Sequence, residues 1–214
     1  MKFNYADFIA SLSDRVNSSL PGMDAHVKMA PQHRKTVKNY LSDVKTYRTA
    51  AVLALLFPDK ETRSPRIVLM ERAGGGDVHA HQISFPGGKQ EPDEELADTA
   101  LRESFEELGI TSQEVNLIGP LTSLYIPPSG FLVHPFIGFL LQDPVFTINP
   151  AEVKRVITPS LEQLCNGENL RSGSFRSSQG IEVEAPYYEL EDVVIWGATA
   201  MMISEIVEVV NSLK

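Results

Sequence analysis

The sequence predicts an α/β fold: a mixed β-sheet held between helical layers, with helical additions at the termini. Three observations predict it. The apolar run Thr49 to Phe57 reads as a central strand, because a strand covered on both faces loses the usual polar alternation. Asp93 to Leu108 carries an apolar stripe, Ala97, Leu101, Ser104 and Leu108, at helical spacing beside a separate acidic one. Near the carboxyl end Ile203, Ile206, Val207, Val210 and Leu213 recur as on an amphipathic helix that covers a sheet.

The length, 214 residues with 43% hydrophobic side chains, suits one sizeable domain with extensions or two small ones. A formal charge of -9 argues against a broad nucleic-acid groove or an anionic-membrane surface. The single cysteine, Cys165, excludes an internal disulfide and a cysteine-built metal site. The amino-terminal stretch has no long apolar core followed by a small-residue cleavage site, and no stretch is apolar enough to cross a membrane as a helix. A soluble, cytoplasmic protein is expected.

In chain order, Phe8, Ile9 and Leu12 share a helical face within Tyr5 to Val16, and this helix should end before Pro21. Pro21 to Lys45 is locally basic and reads as a polar connector or a reach toward a phosphorylated ligand. Residues 1–47 are thus expected as a helical extension packed on a domain of residues 48–214. Arg66 to Met70 reads as a strand antiparallel to the first, across a loop from Pro58 to Pro65. Strands are expected around Leu117 and Leu121, then a rigid turn at Ile126 to Gly130. Leu132 to Leu141 follows as a strand in which Pro135 should mark a bulge or an edge. Pro150 is expected to start a helix, Val156 to Leu164 to form a strand and a short helix from Ser160 that ends near Cys165. Arg171 to Ser178 and Ile181 to Tyr188 should pair as a hairpin, with Arg171 and Arg176 either solvent-facing or reading a phosphate. Tyr187 to Trp196 supplies the closing strand. The final helix covers the sheet or serves a homodimer.

The Asp93 helix is the chemically informative element. Asp93 is its candidate N-cap, Glu94 and Glu95 suit the positive end of its dipole, and Gly109 its C-cap. Glu103, Glu106 and Glu107 lie at i, i+3 and i+4, where like charges repel by a few tenths of a kcal/mol. Solvation tolerates that cost; a hard divalent cation turns it into binding, since Mg2+ takes carboxylates together with substrate phosphates. Just before, Pro86 fixes one backbone angle and Gly87-Gly88 permits a turn that approaches a pyrophosphate closely.

With Gly88, Glu94, Arg102, Glu103, Glu106, Glu107, Gly109 and Ile110 at fixed offsets, the stretch resembles the signature of Nudix hydrolases. Ser104 stands where that family usually has an apolar residue. The preceding His79, Gln82, Ile83, Phe85, Pro86, Gly87 and Gly88, and the later Asn149-Pro150 with Glu152-Val153, resemble the coenzyme A pyrophosphatase branch; His81 replaces its usual glycine and Arg72 alone stands for its arginine-rich stretch.

The resemblance implies a Nudix-like α/β/α sandwich with a mixed β-sheet. It also implies metal-dependent cleavage of a pyrophosphate bond in a small-molecule nucleoside diphosphate derivative. Glu103, Glu106 and Glu107 would hold Mg2+ or Mn2+, Glu94 would assist, and Arg102 would orient the acids with its planar fork. Glu152 would activate water or contact the metal. Arg72, His79, Gln82, Phe85, Gly87 and Gly88 would form the substrate side. Coenzyme A, split into 4'-phosphopantetheine and adenosine 3',5'-bisphosphate, is the implied substrate. ADP-ribose, dinucleoside polyphosphates and nucleotide sugars are alternatives, as is a nucleotide-binding regulatory module with weak turnover.

Overall fold

The computed structural model describes residues 4–32, 46–74, 82–176 and 180–213. Strand β1 (Arg48–Pro58) is the centre of the molecule and explains why the apolar run lacks alternation. Ala50, Ala54 and Leu56 belong to one core, whereas Ala51, Leu53, Leu55 and Phe57 belong to the other. Both faces are covered, so every position from Ala50 to Phe57 is apolar. The first core is closed by helices α1 (Tyr5–Ser18) and α5 (Gly197–Asn211), the second by helix α3 (Leu96–Leu108). Helix layers therefore flank the sheet as an α/β/α sandwich.

Strand β1 runs parallel to β8 (Phe131–Phe139) and antiparallel to both β2 (Pro65–Ile67) and β5 (Gly87–Lys89), so the sheet is mixed. On its other edge β8 pairs with β6 (Asn116–Pro120) and β7 (Leu124–Ile126). A second sheet joins β3 (Leu69–Arg72) to β4 (Ile83–Ser84) and β9 (Val153–Ile157), and a third is the meander β10 (Leu170–Arg176), β11 (Glu182–Leu190) and β12 (Val193–Trp196). Helix α4 (Leu161–Cys165) follows Ser160, where the sequence suggested its start, and Ser160 forms a capping box with Gln163.

Several expectations are corrected. Arg66 to Met70 is two strands in two sheets: it leaves β1 at Val68, whose N–H still donates to Leu55 O at 2.9 Å. Pro135 is neither at an edge nor in a bulge of its own strand. It sits inside β8 at the interruption between β6 and β7, where its carbonyl accepts from Leu121 N–H at 2.8 Å and its missing N–H deprives no ladder. Pro150 starts no helix; residues 150–152 form a turn into β9. Tyr187 to Trp196 is broken by a turn at Glu191, which takes φ 48°, and folds back as β11 and β12. The connector after Pro21 contains a helix, α2 (Met23–Lys28), while its residues 33–45 lie outside the described ones.

That short helix is held by a buried polar hub. Glu205 of α5 has no exposed surface and accepts from Gly22 N–H at 3.1 Å, Thr122 N–H at 3.0 Å and the Thr122 hydroxyl; His26 Nε2 lies 3.2 Å away. Burial pushes the Glu205 carboxyl up, but bonds from His26 and Thr122 outweigh it and hold the group below the usual carboxylate value. A carboxyl depressed in the fold contributes stability above its ordinary pKa that is lost as pH falls through the folded one. Glu205→Gln should therefore cost about 2 kcal/mol at neutral pH. The gap to wild type should close on acidification below about pH 4, which thermal denaturation across that range will show.

Candidate active site

The site is built at the junction of β3, β5, α3 and the segment that leads into β9. Helix α3 begins later than the sequence suggested. Asp93 has φ 64°, away from the extended conformation typical of a side-chain N-cap, and Glu95 occupies the cap position without a side-chain cap bond. Gly109 ends the helix at φ 74°, as expected. Ala100, Ser104 and Leu108 are buried against the sheet, with Leu101 and Leu96 packed at the margin. Ser104 satisfies its buried hydroxyl by donating to Ala100 O at 2.8 Å, which is how a polar residue sits on this stripe.

The acidic face divides. Glu103, Glu107 and Glu152 each offer a carboxylate oxygen within 4.8 Å of the others, and burial falls from Glu107 through Glu103 to the exposed Glu152. Glu106 stands apart from this group, its side chain 48% exposed and bound to Arg102 at 3.1 Å. Glu94 is also outside it. Both of its oxygens are taken, by Arg102 at 2.8 and 3.2 Å, the Thr99 hydroxyl at 2.7 Å and Glu91 N–H at 3.1 Å. These bonds, that of Arg102 foremost, hold its carboxyl down to about 2. Glu94 and Glu106, expected as metal ligands, both pair with Arg102 in this structure, and Arg102 also reaches Glu103 at 2.9 Å and Lys89 O at 3.2 Å. The planar guanidinium of Arg102 thus bonds Glu94, Glu103 and Glu106 at once.

Two glycines set the carboxylate positions. A Cβ on Gly88 would lie 2.4 Å from the Glu103 carboxylate, so its absence is what lets Glu103 lie against β5. Gly87, at φ 151°, donates its N–H to Glu107 at 2.8 Å. The turn expected to approach a pyrophosphate thus directs one of its amides, that of Gly87, to the glutamate.

Glu107 is 1% exposed, and burial pushes its carboxyl up to about 8, with Glu103 and Glu152 adding to the rise against the Gly87 amide and Arg72. Glu103 is raised too, by burial first, with Glu106 and Glu152 contributing and Arg102 opposing. Three acids crowded with too little positive charge are a donor set that fits a hard divalent cation.

Arg72 lies 3.7 Å from Glu107 through a guanidinium that remains partly exposed. Gln82 accepts from Arg72 N–H through its carbonyl at 3.1 Å and is half-buried beside it. Phe85, expected at the substrate, is 1% exposed and belongs to the first core. His79 and His81 lie outside the described residues. Thr99, which holds Glu94, carried no signal in the sequence.

Among the described residues no helix is long and apolar enough to cross a membrane. The NUDIX domain model matches residues 47–176. The uncharacterized Nudix hydrolase NudL of Photorhabdus laumondii is 33% identical over 163 residues, covering 74% of this chain and 84% of the relative. NudL of Yersinia pestis is 32% identical over 182 residues, 85% and 88% of the two chains. Among solved structures, the M. smegmatis Nudix hydrolase RenU superposes with a TM-score of 0.56 at 14% identity, over 78% of this chain and 88% of that one, a likeness of fold.

Proposed function

Because this chain belongs to the Nudix hydrolase family and is a pyrophosphohydrolase of nucleoside diphosphate derivatives, we propose that Glu103, Glu107 and Glu152 form its metal-holding wall. Their convergence within 4.8 Å is the observation that carries the reading. Mg2+ or Mn2+ bound there would offset the charge of the phosphates and make a water a stronger nucleophile at neutral pH.

The chain's own residues do the positioning. Glu107, fixed by the Gly87 amide, forms the buried end of the wall. Glu103 is braced by Arg102, and Glu152 is the carboxylate open to solvent. Arg72, with a long 3.7 Å contact and an exposed edge, has donors left for a phosphate oxygen, and Gln82 lies beside it.

We further propose coenzyme A or a derivative as the substrate, cleaved to 4'-phosphopantetheine and adenosine 3',5'-bisphosphate. The supporting feature is the sequence from Gln82 to Gly88, which resembles that branch of the family. Incubating purified protein with coenzyme A, ADP-ribose, dinucleoside polyphosphates and nucleotide sugars in Mg2+ or Mn2+ tests both parts. Coenzyme A should be turned over fastest to those two products, and chelation should abolish turnover until metal is restored. Faster cleavage of another member of the panel overturns the substrate; full activity in chelator overturns the metal wall.

A further inference from the structure

We infer that Asn149 is a positioning residue that sets Glu152 against the buried end of the carboxylate wall; this inference rests on the reading of Glu152 as part of that wall. Residues 140–152 between β8 and β9 have no regular structure, yet they carry a carboxylate that must meet two others on a helix more than forty positions earlier in the chain. What fixes them is the open end of α3. Thr147 N–H donates to Leu108 O at 2.8 Å and Asn149 N–H donates to Glu107 O at 2.9 Å, so the segment satisfies helix carbonyls that would otherwise lack partners.

Asn149 is the point where this docking turns toward Glu152. Its carbonyl accepts from Glu152 N–H at 3.0 Å and Val153 N–H at 2.8 Å, closing the turn. Its side-chain Oδ1 accepts from Ala151 N–H at 3.1 Å, and its Nδ2 donates to Glu152 Oε1 at 3.0 Å. The amide orientation follows from chemistry: the backbone N–H needs the oxygen, and the carboxylate needs the nitrogen. All four polar groups of Asn149 are therefore engaged, one on the backbone of Glu107 and the others in the turn that presents Glu152. Ala73 N–H, next to Arg72, donates to Glu152 O at 2.8 Å and holds the same turn from the β3 side. One oxygen of Glu152 is oriented by Asn149, which ties that carboxylate to the end of α3.

Positioning partners of metal-binding carboxylates typically alter affinity or activity by about 10–100-fold when removed. A double-mutant cycle separates this from a general structural role. Hydrolysis and Mn2+ binding, read by paramagnetic resonance, are measured for wild type, Asn149→Ala, Glu152→Ala and the double variant, with thermal melting as a folding check.

Asn149→Ala is expected to raise the Mn2+ midpoint and lower kcat by about 10-fold or more, with KM little changed. In the Glu152→Ala background it should have no further effect on either quantity. Equal losses in both backgrounds, or no loss in either, overturn the positioning role. If Glu152→Ala itself binds Mn2+ and turns over like wild type, the membership of Glu152 in the wall is what fails, and the inference falls with it. If the variants lack measurable turnover, the Mn2+ midpoints alone decide, by the same comparison.

Discussion

Glu107→Gln should leave a folded protein with at least about 100-fold lower kcat, more than is usual for removing an outer partner of a metal site. The amide is nearly the same shape and keeps an acceptor for the Gly87 N–H, which now donates at 2.8 Å to the carboxylate. What disappears is the ability to ionise and offer a carboxylate to a cation, at the deepest of the three convergent acids.

The same residue gives the change a pH signature. Its carboxyl is pushed up to about 8 by burial, so in metal-free protein the fold disfavours the ionised form. A carboxyl raised in the fold loses stability as pH climbs from its ordinary value toward the folded one, by at most about 1.4 kcal/mol per pH unit. Without metal, the stability of Glu107→Gln relative to wild type should therefore grow between about pH 5 and 8. With Mn2+ present the order should reverse, because metal binding favours the deprotonated ligand. Melting curves with and without metal at several pH values read both signs.

The second large effect separates two neighbouring glycines. At Gly87 an added Cβ would meet Ala51 O at 2.4 Å and Val52 Cα at 2.6 Å, and φ 151° is a conformation side chains avoid. These neighbours are the backbone of the central strand and cannot move aside. Strain of about 1–3 kcal/mol adds to overpacking of about 1–3 kcal/mol, a large share of the total stability of a domain. Gly87→Ala should thus fold poorly, with a much lower melting temperature. At Gly88 the obstacle is the Glu103 carboxylate at 2.4 Å, the far end of a movable side chain. Gly88→Ala should melt near wild type but lose activity by about 10-fold or more, since it displaces an acid of the wall. If both variants melt alike and stay active, the glycines do not set the wall's geometry.

The contrast between these glycines also marks how far the sequence could be read. Local order was legible: β1, α3, α5, the short helix after Ser160 and the hairpin follow from periodicity and end signals that act over a few residues. What escaped depended on contacts between distant segments. Nothing near Glu103 and Glu107 says that Glu152 lies beside them, because that approach depends on the docking of residues 147–149 on the end of α3. Arg66 to Met70 looked like one strand because a switch of sheets at Val68 changes neighbours without changing hydrophobicity. Phe85 read as a substrate contact from its motif, yet its side chain is buried in the first core, a placement that depends on segments far from it in sequence. Glu205 and His26 lie on helices whose apolar neighbours hide a polar hub until α2, α5 and Thr122 are brought together.

The most direct test of the carboxylate wall is a crystal soaked in Mn2+ and measured at an energy where manganese scatters anomalously. A peak in coordination range of the oxygens of Glu103, Glu107 and Glu152 is expected, with Glu94 still bound to Arg102. Manganese bound instead by Glu94 and Glu106, with no peak between the three acids, would contradict it.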